Sequence, residues 1–270
     1  MANEFPLVIE PEQLNSFLAD ASPLLLVVDL SNPQNYLQGH VPGAVLVAPQ
    51  ELVAGTPPAP GKLPALAQLN QLFSRLGLTP DTHVVVYDDE GGGWAGRFIW
   101  TLDVIGHQRY SYLNGGLWAW RAAGLPTTTE SAQPTATSYQ AVIHDGPIAD
   151  KTFILQHIND DDFVVLDARS REEYLGLRHT AQKNGHIPGA IHCEWTELMD
   201  RDAQLRIRRD ALAYLRDKGI REGQTIVTHC QTHHRSGFTY LVGKVLGLNI
   251  KAYPGSWSEW GNDPDTPVQT

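Results

Sequence analysis

The sequence predicts an α/β protein made of two tandem domains, each with a mainly parallel sheet flanked by helices. Short apolar segments alternate with amphipathic segments in both halves, as expected for parallel strands that are connected by helices. A chain of 270 residues also exceeds the size of an average single core. Motifs of the first half recur in the second half in the same order, so a duplicated domain accounts for the length.

Each half contributes two predicted strands and at least one predicted helix. The strands are apolar segments bounded by polar residues, at 24–29, 84–87, 163–167 and 225–228. The helices are amphipathic or apolar segments at 63–76, 210–218 and 237–247. This order of elements places a loop directly after each second strand.

The repeat consists of three matched features. Asp29 and Asp167 each end an apolar segment. Two pairs of motifs follow, GHVPGA at 39–44 with GHIPGA at 185–190, and GGLWAW at 115–120 with GSWSEW at 255–260. His40 and His186 occupy matching turns in both copies, so we expect them to stabilise the fold rather than to act in catalysis.

The two copies are joined by a segment with few apolar residues. Residues 126–145 are rich in Thr, Ser and Pro and have little to bury, which predicts an extended linker. The first domain is therefore predicted at 1–125 and the second at 146–270.

Composition excludes several classes of function. A formal net charge of -10 disfavours a nucleic-acid partner, because binding to phosphates depends on clustered cations. No apolar segment approaches the roughly 18 residues of a membrane span, and no secretory segment begins the chain, so we expect a cytoplasmic protein without a membrane partner. Cys193 and Cys230 form neither a CxxC pair nor a zinc spacing, so both should be reduced. We expect a monomer, since the duplication supplies an internal pairing.

Cys230 is the predicted centre of the chemistry, because it lies between a predicted strand and a predicted helix. Ligands of parallel sheets bind beyond the carboxyl ends of the strands. Backbone N–H groups of 231–235, the helix N-terminus and Arg235 can all stabilise a thiolate, the reactive form of the thiol. A persulfide is also an anion and gains the same stabilisation. The first half has Asp89 at the corresponding point and therefore lacks a nucleophile.

Other residues near this loop are candidates for binding. Glu173 follows the strand next to the Cys230 loop, so it either points a carboxylate into the pocket or is a solvated charge. Trp195 either forms a wall of the pocket or belongs to the core. A metal site is disfavoured, because Cys-x-x-His-His on one tight loop cannot easily surround a tetrahedral ion. We therefore predict no metal and no cofactor.

These residues together resemble the rhodanese family of sulfurtransferases, in its two-domain form with an inactive first copy and an active second copy. The resemblance rests on Asp-x-Arg at 167–169, GHIPGA at 185–190, Cys-x4-Arg-Ser at 230–236 and Gly-Ser-Trp at 255–257. In that family a cysteine takes a sulfane sulfur from thiosulfate, releases sulfite and passes the sulfur from a persulfide to cyanide or another thiophilic acceptor.

The resemblance implies a thiosulfate donor, a thiophilic acceptor and a set of site residues. Cys230 is the expected nucleophile. The expected anion-binding loop comprises Gln231, Thr232, His233, His234 and Arg235. The first domain is expected to support the site across the interface between the domains.

Three alternatives stay open. Thr232 and Glu173 stand where thiosulfate enzymes of the animal type have a lysine and an arginine, so 3-mercaptopyruvate is a second possible donor. A phosphatase of the cell-division-cycle group shares this fold, but it needs five residues between cysteine and arginine, and this chain has four. A non-catalytic binding module fits only the first half.

Overall fold

The computed structural model describes residues 5–19 and 24–270, and each half of the chain forms a parallel sheet covered by helices. The sheet of the first domain has five strands in the order β1-β5-β4-β2-β3, and all of its pairs are parallel. These strands are β1 (Val8–Ile9), β2 (Leu25–Asp29), β3 (Ala44–Leu46), β4 (His83–Tyr87) and β5 (Tyr110–Leu113). The strands predicted at 24–29 and 84–87 are confirmed as β2 and β4.

The helices of the first domain lie on both faces of this sheet. They are α1 (Pro11–Ala19), α2 (Pro33–Gln38), α3 (Leu66–Arg75), α4 (Gly93–Val104) and α5 (Gly116–Ala122), with a 3₁₀ helix at Pro49–Leu52. The amphipathic pattern predicted at 63–76 forms α3, which buries Leu69, Leu72 and Phe73 on one face.

The second domain repeats this plan with a sheet of four parallel strands in the order β11-β10-β6-β7. Its strands are β6 (Phe163–Asp167), β7 (Ile191–His192), β8 (Met199–Asp200), β9 (Arg206–Ile207), β10 (Thr225–His229) and β11 (Ile250–Ala252), of which β8 and β9 form a separate antiparallel pair. Its helices are α6 (Lys151–His157), α7 (Arg171–Tyr174), α8 (Ala211–Asp217), α9 (Arg235–Val245) and α10 (Ser256–Trp260), with a 3₁₀ helix at Trp195–Leu198.

The two GHxPGA histidines make the same contacts in both domains. The ring of His40 stacks on Tyr36 with centroids 3.6 Å apart, and that of His186 stacks on Tyr174 at 3.7 Å. Each Nδ1 also hydrogen-bonds to the carbonyl oxygen of its tyrosine, at 2.8 and 2.9 Å. Because both copies share these contacts and only one has the thiol, the histidines stabilise the fold.

The segment predicted as a linker contains no helix and no strand, yet it is fixed to the first domain. The N–H of Thr137 donates to the carbonyl of Ser74 at 2.9 Å, and the N–H of Ala141 donates to Oδ1 of Asn70 at 2.7 Å. Both acceptors belong to α3. The segment therefore follows the surface of the first domain before it enters the second.

The domains meet where α4 crosses α9, and glycine allows their backbones to touch. A Cβ atom on Gly96 would lie 2.2 Å from the carbonyl oxygen of Gly237, and one on Gly237 would lie 2.6 Å from the carbonyl oxygen of Gly93. No side chain fits at such a crossing. The start of α9, which follows Cys230, is thereby pressed against the first domain.

The Gly96→Ala variant is expected to be destabilised by about 1 to 3 kcal/mol, because the added methyl group overpacks this crossing. Chemical denaturation monitored by tryptophan fluorescence measures the free energy of unfolding. Gly146→Ala is the matched control, since a Cβ atom at that exposed glycine meets nothing within 4 Å. Equal losses in the two variants would show that the crossing tolerates a side chain.

Candidate active site

Cys230 is the first residue after β10, a strand that lies between β6 and β11. Its side chain is buried, and its carbonyl oxygen accepts a hydrogen bond from the N–H of Trp257 at 2.9 Å. The loop then turns at His233, which has a φ of 56°, a left-handed conformation that is uncommon outside glycine. This turn brings the first residues of α9 back to the sulfur.

The surroundings of Cys230 favour the thiolate. Burial raises the pKa of the thiol, but the charge of Arg235, the N–H and hydroxyl of Ser236 and the charge of His234 together hold it below its ordinary value. Cys193 differs, because burial raises its pKa to about 12. Of the two thiols, only Cys230 has a lowered pKa.

Ser236 is a site residue that sequence analysis did not single out. It is fully buried, and its Oγ lies 2.8 Å from Nδ1 of His233. The hydroxyl of Ser236 also lowers the pKa of Cys230. The detectable signal is its position in the first turn of α9, where backbone N–H groups have no partner within the helix.

The side chain of His233 points away from the pocket, so the expected role of His233 in the anion-binding loop stays a prediction that concerns its backbone N–H. Its side chain is fully buried and meets the ring of Trp100 edge-on at 4.6 Å. Burial, with the nearby charges of Arg97 and His234, lowers the pKa of His233 well below its usual value, so the ring is neutral. The left-handed turn at this residue directs the side chain between the domains.

Glu173 points into the site and is bound to Arg235, so the solvated alternative is wrong. The guanidinium donates to both carboxylate oxygens, at 2.6 and 2.9 Å. Glu173 is 4% exposed and also accepts from the N–H of Ser170 at 3.1 Å. Burial alone would raise its pKa, but these bonds hold it below the usual range. The carboxylate therefore fixes Arg235 and offsets part of its charge.

The remaining predicted residues lie around the same loop. Gln231 is half-buried and donates to the carbonyl of Thr180 at 3.1 Å. Thr232 is half-buried, and its carbonyl oxygen packs against Gly61 of the first domain. A Cβ atom at Gly61 would lie only 2.1 Å from that oxygen. Trp195 is half-buried, with its ring centroid 5.7 Å from that of His234. The structure thus brings Trp195 to the edge of the loop.

The first domain contributes three side chains to this site, and sequence analysis identified none of them. Oε1 of Glu90 contacts Nε2 of His234. Trp94 stacks on the ring of His234 with centroids 4.4 Å apart. Arg97 is fully buried and donates to the carbonyls of Gly61 and Leu52, both at 2.7 Å. Burial lowers the pKa of Arg97 to about 9, which leaves it protonated at neutral pH.

Asp88, not Asp89, occupies the place of Cys230 in the first domain, which corrects the sequence comparison by one residue. Its carbonyl accepts from the N–H of Leu117 at 3.0 Å, as that of Cys230 does from Trp257. Its carboxylate accepts hydrogen bonds from the backbone N–H groups of Glu90, Gly91, Gly92 and Ala95, at 2.8 to 3.1 Å. The anion nest of the first domain is therefore filled by the chain's own carboxylate.

The described residues contain no group of three or more His, Cys, Asp or Glu side chains placed to hold a metal ion. No helix in the part of the chain that the structure describes is both long and apolar enough to cross a membrane.

The family model of the rhodanese-like domain matches the chain twice, at residues 10–123 and 151–263. The chain belongs to the rhodanese family. The two matches correspond to the two α/β domains, and the second contains the Cys230 loop.

Curated relatives and solved structures agree with this assignment. The chain is 52% identical over 265 residues to a thiosulfate sulfurtransferase of Azotobacter vinelandii, covering 98% of this chain and 97% of that protein. It is 29% identical over 245 residues to a 3-mercaptopyruvate sulfurtransferase of Escherichia coli, covering 89% and 87%. An anaerobic ergothioneine biosynthesis enzyme of Chlorobium limicola shares the fold, with a TM-score of 0.87 at 21% identity over 99% of this chain and 71% of that one.

Proposed function

We propose that the chain is a thiosulfate sulfurtransferase that works through a persulfide on Cys230. The observation that carries this proposal is the buried thiol on the loop between β10 and α9, whose pKa is lowered by Arg235, Ser236 and His234 against the effect of burial. A relative that is 52% identical, matched over 97% of its length, bears the name of this activity. The two-domain plan, with one thiol-bearing loop, agrees with it.

In the first half-reaction the thiolate of Cys230 attacks the outer sulfur of thiosulfate. The new Cys–S bond forms as the S–S bond of the donor breaks, and sulfite leaves with the electron pair. The enzyme then carries a persulfide anion, which the loop N–H groups and Arg235 stabilise as they stabilise the thiolate. No proton needs to move in this step.

In the second half-reaction cyanide or another thiophilic acceptor attacks the outer sulfur of the persulfide. The acceptor gains the sulfur, and the electron pair of the broken S–S bond returns to Cys230 as thiolate. Because the covalent intermediate separates donor from acceptor, we expect ping-pong kinetics, with parallel lines in reciprocal plots.

The identity of the sulfur donor depends on which anion the loop around Cys230 can bind. Arg235 supplies a cation beside Cys230, and Glu173 positions that cation. We propose thiosulfate as the donor and 3-mercaptopyruvate as the alternative. The loop has four residues between Cys230 and Arg235, which leaves a narrower cradle than a phosphatase requires.

Intact-mass spectrometry tests the function directly. Addition of thiosulfate should increase the mass by one sulfur atom on the peptide that contains Cys230, and cyanide should remove it. A gain with 3-mercaptopyruvate alone would change the donor, and no gain with either donor would reject sulfur transfer.

We also propose that the enzyme is a monomer in the cytoplasm. Both cysteines are free and buried, which agrees with a reducing compartment. The interface between α4 and α9 already pairs the two copies of the domain. Light scattering at a known concentration tests the oligomeric state.

A further inference from the structure

His234 lies between groups from several elements of both domains. Trp94 of α4 stacks on its ring with the planes inclined by 23°, and the ring of Trp195 lies 5.7 Å away with the planes inclined by 54°. The acidic and titratable groups that face it are Glu90 and Asp88 from the loop before α4, and Cys230 and His233 from its own loop. Among the residues that the structure describes, Glu90 is the one that forms a hydrogen bond with the imidazole.

The contact with Glu90 favours the charged form of the ring. Burial lowers the pKa of His234, but the hydrogen bond and charge of Glu90, with the charges of Cys230 and Asp88, raise it above its ordinary value. A carboxylate on Nε2 is satisfied best when that nitrogen carries a proton. The face of Trp94 also attracts a cation.

The charge of His234 matters because the charge of Arg235, the other cation near Cys230, is partly neutralised. Arg235 donates to both oxygens of Glu173, so its field at Cys230 is reduced by the nearby carboxylate. His234 also acts on the thiolate, since its charge lowers the pKa of Cys230. Its own counterion, Glu90, lies on the other domain.

We propose that Glu90 is a positioning residue for sulfur transfer, which holds His234 as an imidazolium beside Cys230 and so makes the charge of the active site depend on the first domain. This inference rests on the proposed function. The imidazolium stabilises the thiolate and attracts the anionic donor, and it is present only while the two domains are in contact at this point.

The decisive variant is Glu90→Gln, which keeps the size of the side chain and removes its charge. At pH 8 we expect kcat/KM for thiosulfate to be about tenfold lower in the variant than in wild type. A fall of about one unit in the pKa of His234 reduces its protonated fraction by about that factor. The ratio of the two values should approach one near pH 5.5, because His234 is then protonated in both proteins. In a plot of kcat/KM against pH, the decline toward alkaline pH should occur about one pH unit lower in the variant than in wild type. If Glu90 only held the two domains together, Glu90→Gln would lower kcat/KM by the same factor at every pH. That result would overturn the proposal.

The titration of His234 is a second readout that does not depend on activity. Its NMR signal is assigned as the one missing from His234→Gln, and its midpoint should lie above about 6.5 in wild type and below that in Glu90→Gln. A wild-type midpoint below 6.5, or equal midpoints in both proteins, would overturn the proposal even if the variant were unstable. If wild type transfers no sulfur, the proposed function fails, while the titration still decides whether Glu90 holds the imidazolium.

Two controls isolate the effect. Glu222→Gln removes a carboxylate from an exposed residue and should change neither the profile nor the midpoint. When His234→Gln is already present, adding Glu90→Gln should change kcat/KM for thiosulfate little further. The effects of two residues are not additive when one acts through the other. Full additivity would show that Glu90 acts by a route other than His234.

Discussion

The Cys230→Ala variant is expected to lose sulfur transfer by at least about a thousandfold, because no other side chain of the loop can carry the covalent intermediate. Its mass should not change with thiosulfate. The steady-state assay with thiosulfate and cyanide measures the loss, and intact mass spectrometry measures loading. Since the thiol is a small buried group, the variant should stay folded, which circular dichroism checks.

Cys193→Ala is the matched control for this experiment. Both thiols are buried, but burial raises the pKa of Cys193 to about 12, whereas that of Cys230 is lowered. Cys193 is therefore protonated at neutral pH and a poor nucleophile. We expect its replacement to leave loading intact. Comparable losses in the two variants would reject Cys230 as the sulfur carrier.

The Arg235→Ala variant is expected to lose about a hundredfold in kcat/KM for thiosulfate, because it removes a permanent cation from the site of a dianion. Discharge of a preloaded persulfide by cyanide should fall less, since that acceptor carries a single charge. Single-turnover experiments separate the two steps. An unchanged dependence on thiosulfate would show that the backbone N–H groups suffice to hold the donor.

The same variant should also be less stable, by about 3 kcal/mol at pH 7.5, because Glu173 is left buried without its partner. In wild type the pKa of Glu173 is lowered, so the ion pair stabilises the fold above the usual carboxyl pKa and this contribution is lost on acidification. In the variant, burial without a partner raises that pKa, so the deficit should shrink toward pH 5 as Glu173 takes up a proton. Denaturation at the two pH values tests this sign.

Arg235→Ala combined with Glu173→Gln separates stability from catalysis. The double variant has no stranded carboxylate, so we expect most of the stability to return. Donor use should remain low, since the cation is still absent. Recovery of kcat/KM together with stability would mean that Arg235 serves the fold and not the donor.

The parts of the site that follow from contiguous residues could be predicted well. Cys230 on a loop between strand and helix can be inferred from an apolar run, a polar break and a helical pattern within about twenty residues. Arg235 is predicted for the same reason, since helix geometry fixes where the next residues lie. The sequence comparison matches Cys230 with Asp89 instead of Asp88, because two adjacent aspartates follow β4. Only the hydrogen bonds show that the carboxylate of Asp88 occupies the anion nest.

The sequence by itself determined the duplicated α/β plan and the position of Cys230 between a strand and a helix, because local periodicity and short motifs specify strands, helices and turns. Only the tertiary structure decided which carboxylates pair with the cations around that thiol. Glu173 meets Arg235 across 62 positions of the chain, and Glu90 meets His234 across 144. Such pairs depend on how separate elements pack and on which side chains burial forces together. No local pattern records them, so the contribution of the first domain to the site becomes visible only in the folded chain.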